Sequence, residues 1–256
     1  MKQEKELKFY EEVKDWNFDE FEIESESLTN WNLYDELKKI TNKESIVLDL
    51  GTGGGEKVLG FFPEVKEILA TDLSKEMIKT ANKNLELSGK KNVTFRIMNN
   101  LKMDVEDNYY DVVVARNTVT DPKQIYKCLK KGGYLLLAGV DKDDCYSLKL
   151  LFGYGQGFKD VKPISIIDYE NILDANFKDV ELIPVHEIEY FKDKETLYNF
   201  LLKVPILDDF SEEDGDVKDY YIPALEEDKL DEYIKRNTYP EGIRLLRRLY
   251  GIVAKK

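Results

Sequence analysis

At 256 residues the chain is long enough to bury a sizeable core, as one large domain or as a domain with an appended cap. Its composition, 42% hydrophobic and 35% charged, is that of an ordinary globular protein. The formal net charge of −13, from 38 basic against 51 acidic residues, repels a phosphate backbone and makes nucleic acid a poor first ligand class.

Residues 1–44 carry two weak helix signals. In NWNLYDELKKI, Leu33, Leu37 and Ile40 follow helical spacing with Trp31 and Tyr34 beside them. From Ser45 to Val140 short apolar runs alternate with helical periodicity. SIVLDLG, ILATDL, VTFRIM, YDVVVARN and GYLLLAGV read as five buried strands bounded by turn residues. Ser74 caps the helix SKEMIKTANKNL, and Asp121 with Pro122 opens DPKQIYKCLKK, which is expected to stop at Gly132. Fully apolar strands alternating with helices give a parallel sheet covered on both faces.

After Val140, LKLLFGYGQGF reads as a short helix followed by a flexible glycine loop. NFKDVELIPVHEIEYF reads as a strand, ETLYNFLLKVPIL as a helix and EGIRLLRRLYGIVAKK as a closing strand. The acidic run DDFSEEDGDVKD does not fit a calcium loop. With Gly215 as the loop glycine, Phe210 and Tyr221 would fall on ligand positions, so a solvated linker is expected.

SIVLDLGTGGGEKVL places four glycines in five positions between a strand and a helix, where bare backbone is needed against a ligand. A dinucleotide fingerprint requires G-x-G-x-x-G or a final Ala. Counted from Gly51 the last position is Glu56, and counted from Gly53 it is Val58, so the pattern fails. The pattern that fits is acid-x-G-x-G-x-G, in Asp49, Gly51, Gly53 and Gly55. A second acid, Asp72, ends the next strand and suits two ribose hydroxyls. These residues describe a pocket for an adenosine without a pyrophosphate.

Here the sequence resembles the class I S-adenosylmethionine-dependent methyltransferases, of a bacterial, small-molecule-like type. VLDLGTGGGE is similar to that family's first motif, ATDLSKEMI to its second, MNNLKMDVEDNYYDVVVARN to its adenine-contacting segment and fourth strand, and CLKKGGYLLLAG to the turn before its fifth. The resemblance runs strongly from Trp31 to Val140 and more weakly into the last two strands, which end in LYGIVAKK. It implies a doubly wound α/β fold with a mostly parallel seven-stranded sheet, an antiparallel last strand and a helical cap. The corresponding domains are an N-terminal helical cap at 1–44, a Rossmann-like core at 45–194 and 241–256, and a helical cap insertion at 195–240.

The resemblance further implies that Gly51, Thr52 and Gly53 line the methionine part of the cofactor, with Asp49 orienting its amino group and Gly55 also among the cofactor-binding residues. Asp72 would hold the ribose, Leu73 would lie against the adenine, and Asn99 and Asn100 would occupy the adenine segment. Asn99 departs from the family's usual aspartate, so it would accept from the adenine amino group without a charge. Lys131 replaces the usual proline of the turn before the fifth strand.

Methyl transfer from a sulfonium depends mainly on positioning, and needs a base only where the acceptor atom carries a proton. Arg116 and Asn117 end the fourth strand, where Arg116 could touch the cofactor or hold a carboxylate or phosphate on the acceptor. A pairing of Arg116 with Asp121 is the alternative. Asn117 lacks the two prolines and aromatic that mark methylation of amino groups on DNA or protein glutamine. Arg116, Tyr154 and the only histidine, His186, are the catalytic candidates, and Trp31, Asn117, Tyr154 and Gln156 the substrate-facing ones.

The expected activity is methylation of a small molecule with S-adenosylmethionine, giving S-adenosylhomocysteine, without a metal. Rival readings are an RNA or protein methyltransferase and a non-catalytic binding protein. Two cysteines, Cys128 and Cys145, form no C-x-x-C pair and are expected to be reduced in the cytoplasm. The charged start is no secretion signal and no apolar run reaches bilayer length, so no membrane is expected. DNA is not an expected partner either, and the chain is expected to be a monomer or homodimer.

Overall fold

The structure, a computed structural model, describes residues 23–207 and 227–256. The acidic run at 208–219 therefore lies outside the described residues, as do residues 1–22 of the expected N-terminal cap.

The parallel half of the sheet is built from β2 (Ile46–Leu50), β3 (Glu67–Asp72), β4 (Val93–Ile97), β5 (Tyr110–Arg116) and β6 (Leu129–Val140). Two 14-residue antiparallel strands, β7 (Lys178–Phe191) and β9 (Gly242–Lys255), extend it. With β1 (Ile23–Ser27) the order is β1-β7-β9-β6-β5-β2-β3-β4, and the short β8 (Thr238–Tyr239) pairs with β9. The five strands read between Ser45 and Val140 are all present, and the two later strands form the expected antiparallel pair.

The sheet has nine strands rather than seven. One addition, β1, falls inside the expected N-terminal helical cap. Its sequence IESES offers no apolar alternation, and it is held by pairing with the end of β7 from Ile23↔Phe191 to Ser27↔Glu187. The other, β8, is a two-residue hairpin arm on Ile243 and Gly242.

Helices cover both faces. α1 (Leu33–Ile40), α2 (Glu56–Phe61) and α3 (Lys75–Ser88) bury Leu37, Val58 and Ala81 against Val47, Val112, Val114 and Leu136. On the opposite face α4 (Pro122–Cys128) and α6 (Ile164–Asp174) bury Ile125 and Ile172 against Leu48, Leu50, Val113, Leu135 and Ile252. The strands are apolar on both sides because both sides are covered. Helix α4 stops at Cys128 rather than Gly132, because Leu129 to Lys131 already belong to β6, where Leu129 pairs with Tyr110.

A second apolar cluster lies beyond the carboxyl end of β6. It joins α5 (Tyr146–Phe152), α7 (Lys194–Lys203) and α8 (Glu227–Asn237) to the overhanging ends of β7 and β9 through Leu148, Phe191, Phe200, Leu230 and Leu245. Arg247 crosses its border, with Nε on Asp144 at 3.1 Å and one terminal nitrogen on Glu189 at 3.1 Å. The glycine-rich stretch expected to be a flexible loop is tethered to this lobe. The buried Lys149 donates to the carbonyls of Lys142 and Gln156, and the Gln156 N–H donates to Ile206 O.

Asp121 caps α4 as expected, its Oδ1 accepting from Lys123 N at 2.9 Å and its Oδ2 from Gln124 Nε2 at 2.8 Å. Gln124 in turn accepts from Met103 N, so the cap also steadies the loop after β4. The Asp121→Ala variant should lose about 1 kcal/mol of stability, seen as a fall of about 2–4 °C in thermal midpoint.

Candidate active site

The strand order reverses at β2, which has β3 on one side and β5 on the other. Ligands of open α/β sheets bind outside the carboxyl ends at such a point. The two strand ends there are followed by Gly51 and by Asn117.

The glycine loop spends its N–H groups internally. Gly51 N and Thr52 N both donate to Thr71 O, Gly53 N donates to Asp72 Oδ2 at 2.9 Å, and Gly55 N to Thr52 O. Four amides that a pyrophosphate would need are thus engaged, which agrees with the failed dinucleotide fingerprint. What the loop offers instead is close approach. Gly51 has φ +75°, and a Cβ on it would meet Thr118 at 2.6 Å. Gly55, expected to touch the cofactor, has a packing reason of its own. A Cβ on it would meet the Phe95 ring at 2.5 Å, so its bareness lets α2 close on β4.

Asp72 is doubly tethered, Oδ2 to Gly53 N and Oδ1 to Ser74 N, each at 2.9 Å. Each oxygen retains a lone pair for one ribose hydroxyl. Burial raises its pKa, and the backbone N–H groups of Ser74, Gly53 and Leu73 oppose that shift. Leu73 beside it is 38% exposed, an apolar surface free to lie against a base.

Asp49 and Arg116 share one face of the sheet, because Asp49 pairs with Val114, two residues before Arg116. Asp49 is 5% exposed, and burial pushes its pKa up to about 7 against the opposing charge of Arg116. Asp121, the alternative partner for Arg116, is occupied as a helix cap, and no other ion pair forms on Arg116 among the described residues.

Trp31 and Tyr34 close this face. The register carries Arg116 to Ala138 and on to Gly251, where the Trp31 ring occupies the space of the missing side chain, 2.4 Å from the Cβ position. Tyr34 stacks on Phe61 with centroids 5.2 Å apart. Burial raises its phenol pKa, with Arg116 and Asp49 acting on it in opposite senses. Trp31 is one of the residues expected to face the substrate, and Tyr34 shares the amphipathic pattern of α1 with it.

The remaining candidates stand elsewhere. His186 leaves the sheet on the face opposite Arg116, since Arg116 is in register with Ile183, three residues away on β7. Its backbone holds the turn into α1, through Thr29 Oγ1 and Leu28 N. Tyr154 packs into the second apolar cluster, edge-on to Phe152, and Gln156 is bound through its backbone. Asn117 is exposed in a left-handed conformation at φ +50°, its N–H on Ala138 O. A cleft beside Trp31, lined by Thr29, Asn30, Glu36, Glu181, Ile183 and Val253, includes none of Asp49, Asp72 or Arg116.

The Thr52 side chain acts on the buried Asp49 carboxyl and opposes the rise in its pKa. The doubly anchored Asp72 and the bare Gly51 fit an adenosine-bearing cofactor without pyrophosphate. Sequence reasoning missed Thr118, the residue that meets Gly51; only its place after the Arg116–Asn117 pair could have drawn notice.

Comparisons with known proteins agree. A family described as methyltransferase domain matches residues 41–199. Ribosomal protein L11 methyltransferase of Listeria innocua is 33% identical over 103 residues, 38% of this chain and 32% of that protein. An uncharacterized methyltransferase, YcgJ, of Bacillus subtilis is 29% identical over 101 residues, 37% of this chain and 40% of that one. The matches thus span about a third of the first of these curated relatives and two fifths of the second.

Among solved structures, a putative methyltransferase from Bacillus halodurans superposes with a TM-score of 0.56 at 17% identity, covering 87% of this chain and 98% of that one. Phosphoethanolamine N-methyltransferase 2 of Haemonchus contortus, solved with phosphomonomethylethanolamine and S-adenosylhomocysteine, superposes at 0.52 with 19% identity, covering 98% of this chain and 56% of that one. At such identities these two likenesses speak for the fold. Together with the family match over more than half its length, they show that the chain belongs to the methyltransferase-domain family, in the class I fold whose cofactor is S-adenosylmethionine.

Proposed function

We propose that the protein transfers a methyl group from S-adenosylmethionine to a small molecule carrying an anionic group. The observation that carries this reading is the setting of Arg116. It is half-buried and without an ion pair among the described residues, on the same face as the buried Asp49, with Trp31 and Tyr34 packed along that face. A guanidinium beside aromatic side chains is suited to a carboxylate or phosphate.

The cofactor, when bound, supplies an electrophilic methyl group. Around it Asp72 would hold the ribose and Asp49 the amino group of the methionine part. Arg116 and the α1 aromatics would orient the acceptor and keep water out, so that most of the rate comes from alignment. The relatives named for ribosomal protein L11 suggest a protein acceptor, and a net charge of −13 disfavours RNA.

The test is release of S-adenosylhomocysteine with small carboxylated and phosphorylated amines and alcohols, in parallel with ribosomal protein L11 and with RNA. Turnover confined to an anionic small molecule, with KM raised about 10- to 100-fold in Arg116→Ala, is the expected result. Turnover on the protein or RNA alone would overturn the proposed acceptor, and none on any of them would leave a binding protein.

A further inference from the structure

The cleft beside Trp31 has a volume of about 390 Å³ and stands apart from the methyl-transfer site. One row of the sheet fixes the separation. Arg116 is in register with Ala138, Gly251 and Ile183 on successive strands. Ile183, which lines the cleft, is thus three strand spacings from Arg116, roughly 14 Å. The Trp31 ring lies over Gly251, on the strand between them, and forms the partition.

Two carboxylates from separate elements, Glu36 of α1 and Glu181 of β7, line this cleft. Glu181 is there because β7 is bulged. Lys178 pairs with Lys255 and Glu181 with Val253, three steps along β7 against two along β9. Asp179, left-handed at φ +47°, lies within the bulge. In a regular strand Val180 would stand opposite Val253 and Glu181 would turn to the core face with Ile252. The bulge sends Val180 and Leu182 to the core instead, and gives Glu181 to the cleft.

Neither carboxylate is well neutralised. Glu181 has no ion pair or hydrogen bond among the described residues. Glu36 pairs with Lys39 at 3.0 Å, but that lysine is largely exposed, and such a pair contributes little against a competing cation. Ile183 and Val253 add apolar surface beside the Trp31 indole, whose face attracts positive charge.

We infer that the cleft binds a small organic ammonium ion. Its charge lies between Glu36 and Glu181, and its carbon body rests on Ile183, Val253 and the Trp31 ring. An occupant braces the indole that also bounds the Arg116 side. The cleft includes none of Asp49, Asp72 or Arg116, so binding there does not depend on the cofactor.

The experiment is calorimetric titration of the full chain with n-butylammonium, with n-butanol as its neutral counterpart, and with and without saturating S-adenosylhomocysteine. The ammonium ion should bind with a dissociation constant of about 1 mM or tighter, and the alcohol at least about 10-fold more weakly. Glu181→Gln and Glu36→Gln should each weaken the ammonium ion by about 5- to 10-fold and leave the alcohol unchanged. Trp31→Ala should weaken it by about 5-fold, while Trp31→Phe, which keeps a ring, should retain most of the affinity. Glu86→Gln, at an exposed acid of α3 outside the cleft, should have no effect.

Comparing the two probes in each variant separates recognition from folding, because a merely loosened cleft weakens both. Equal affinity for ammonium and alcohol, or no binding at about 10 mM, would overturn the assignment. An equal loss in Glu86→Gln and Glu181→Gln would overturn it too, as diffuse attraction of a cation to an acidic chain. Displacement of the ammonium ion by S-adenosylhomocysteine would place it in the methyl-transfer site instead.

Discussion

Replacing Asp72 with alanine should weaken binding of S-adenosylhomocysteine by two to three orders of magnitude, about 3–4 kcal/mol. Two losses combine. In the proposed reading the carboxylate accepts from both ribose hydroxyls, and hydrogen bonds to a charged group are the strong ones. It is also what holds the loop, since Gly53 N and Ser74 N both end on it at 2.9 Å. Without it those two amides lose their acceptor, and the glycine loop loses its link to the head of α3. Asp72→Asn keeps an oxygen for one amide and should fall between the two. Comparing adenosine with 2′-deoxyadenosine isolates the ribose contact from the tether. The wild type should distinguish them and Asp72→Ala should not. A variant that still preferred the ribose form would show that Asp72 does not touch the sugar.

The chemistry of the cofactor half was legible because it is written locally. Asp49, the glycines and Asp72 lie within one strand-loop-helix-strand unit, and apolar runs with caps at Ser74 and Asp121 fix that unit without distant information. The acceptor side was not legible, because it is assembled from afar. Trp31 meets Gly251, Thr118 meets Gly51, and Arg247 ties Asp144 to Glu189, pairs that no spacing rule connects. Helix α6 escaped notice for a different reason. Its apolar residues are spread around the helix, with only Ser165 and Ile172 buried and no side-chain cap at its start. Lys149 shows the same limit at a single residue. Nothing in FGYGQGF indicates that a buried ammonium grips its backbone, so the glycines read as freedom where the fold has constraint.

Asp49 should make the ligand-free protein lose stability as the pH rises from about 4 to about 7. The carboxyl is buried, and its pKa moves from an ordinary value of 3.8 to about 7 in the folded chain. Between those values the folded protein holds a proton that the unfolded chain has released, so unfolding becomes easier with each step upward. Three units at about 1.4 kcal/mol each put the full effect near 4 kcal/mol, present below pH 4 and gone above pH 7. The reading is the difference between wild type and Asp49→Asn, which cancels the titration of other groups. The variant should match the wild type near pH 4 and exceed it near pH 8, by about 10 °C in thermal midpoint. Binding should move the other way. An ammonium on the ligand requires the ionised carboxylate, so affinity for S-adenosylhomocysteine should rise as pH approaches 7 and a proton should be released on binding below it. Asp49→Asn should bind weakly at every pH. A stability difference between the two proteins that is flat from pH 4 to 8 would mean that Asp49 is ionised throughout, with the Arg116 charge outweighing its burial.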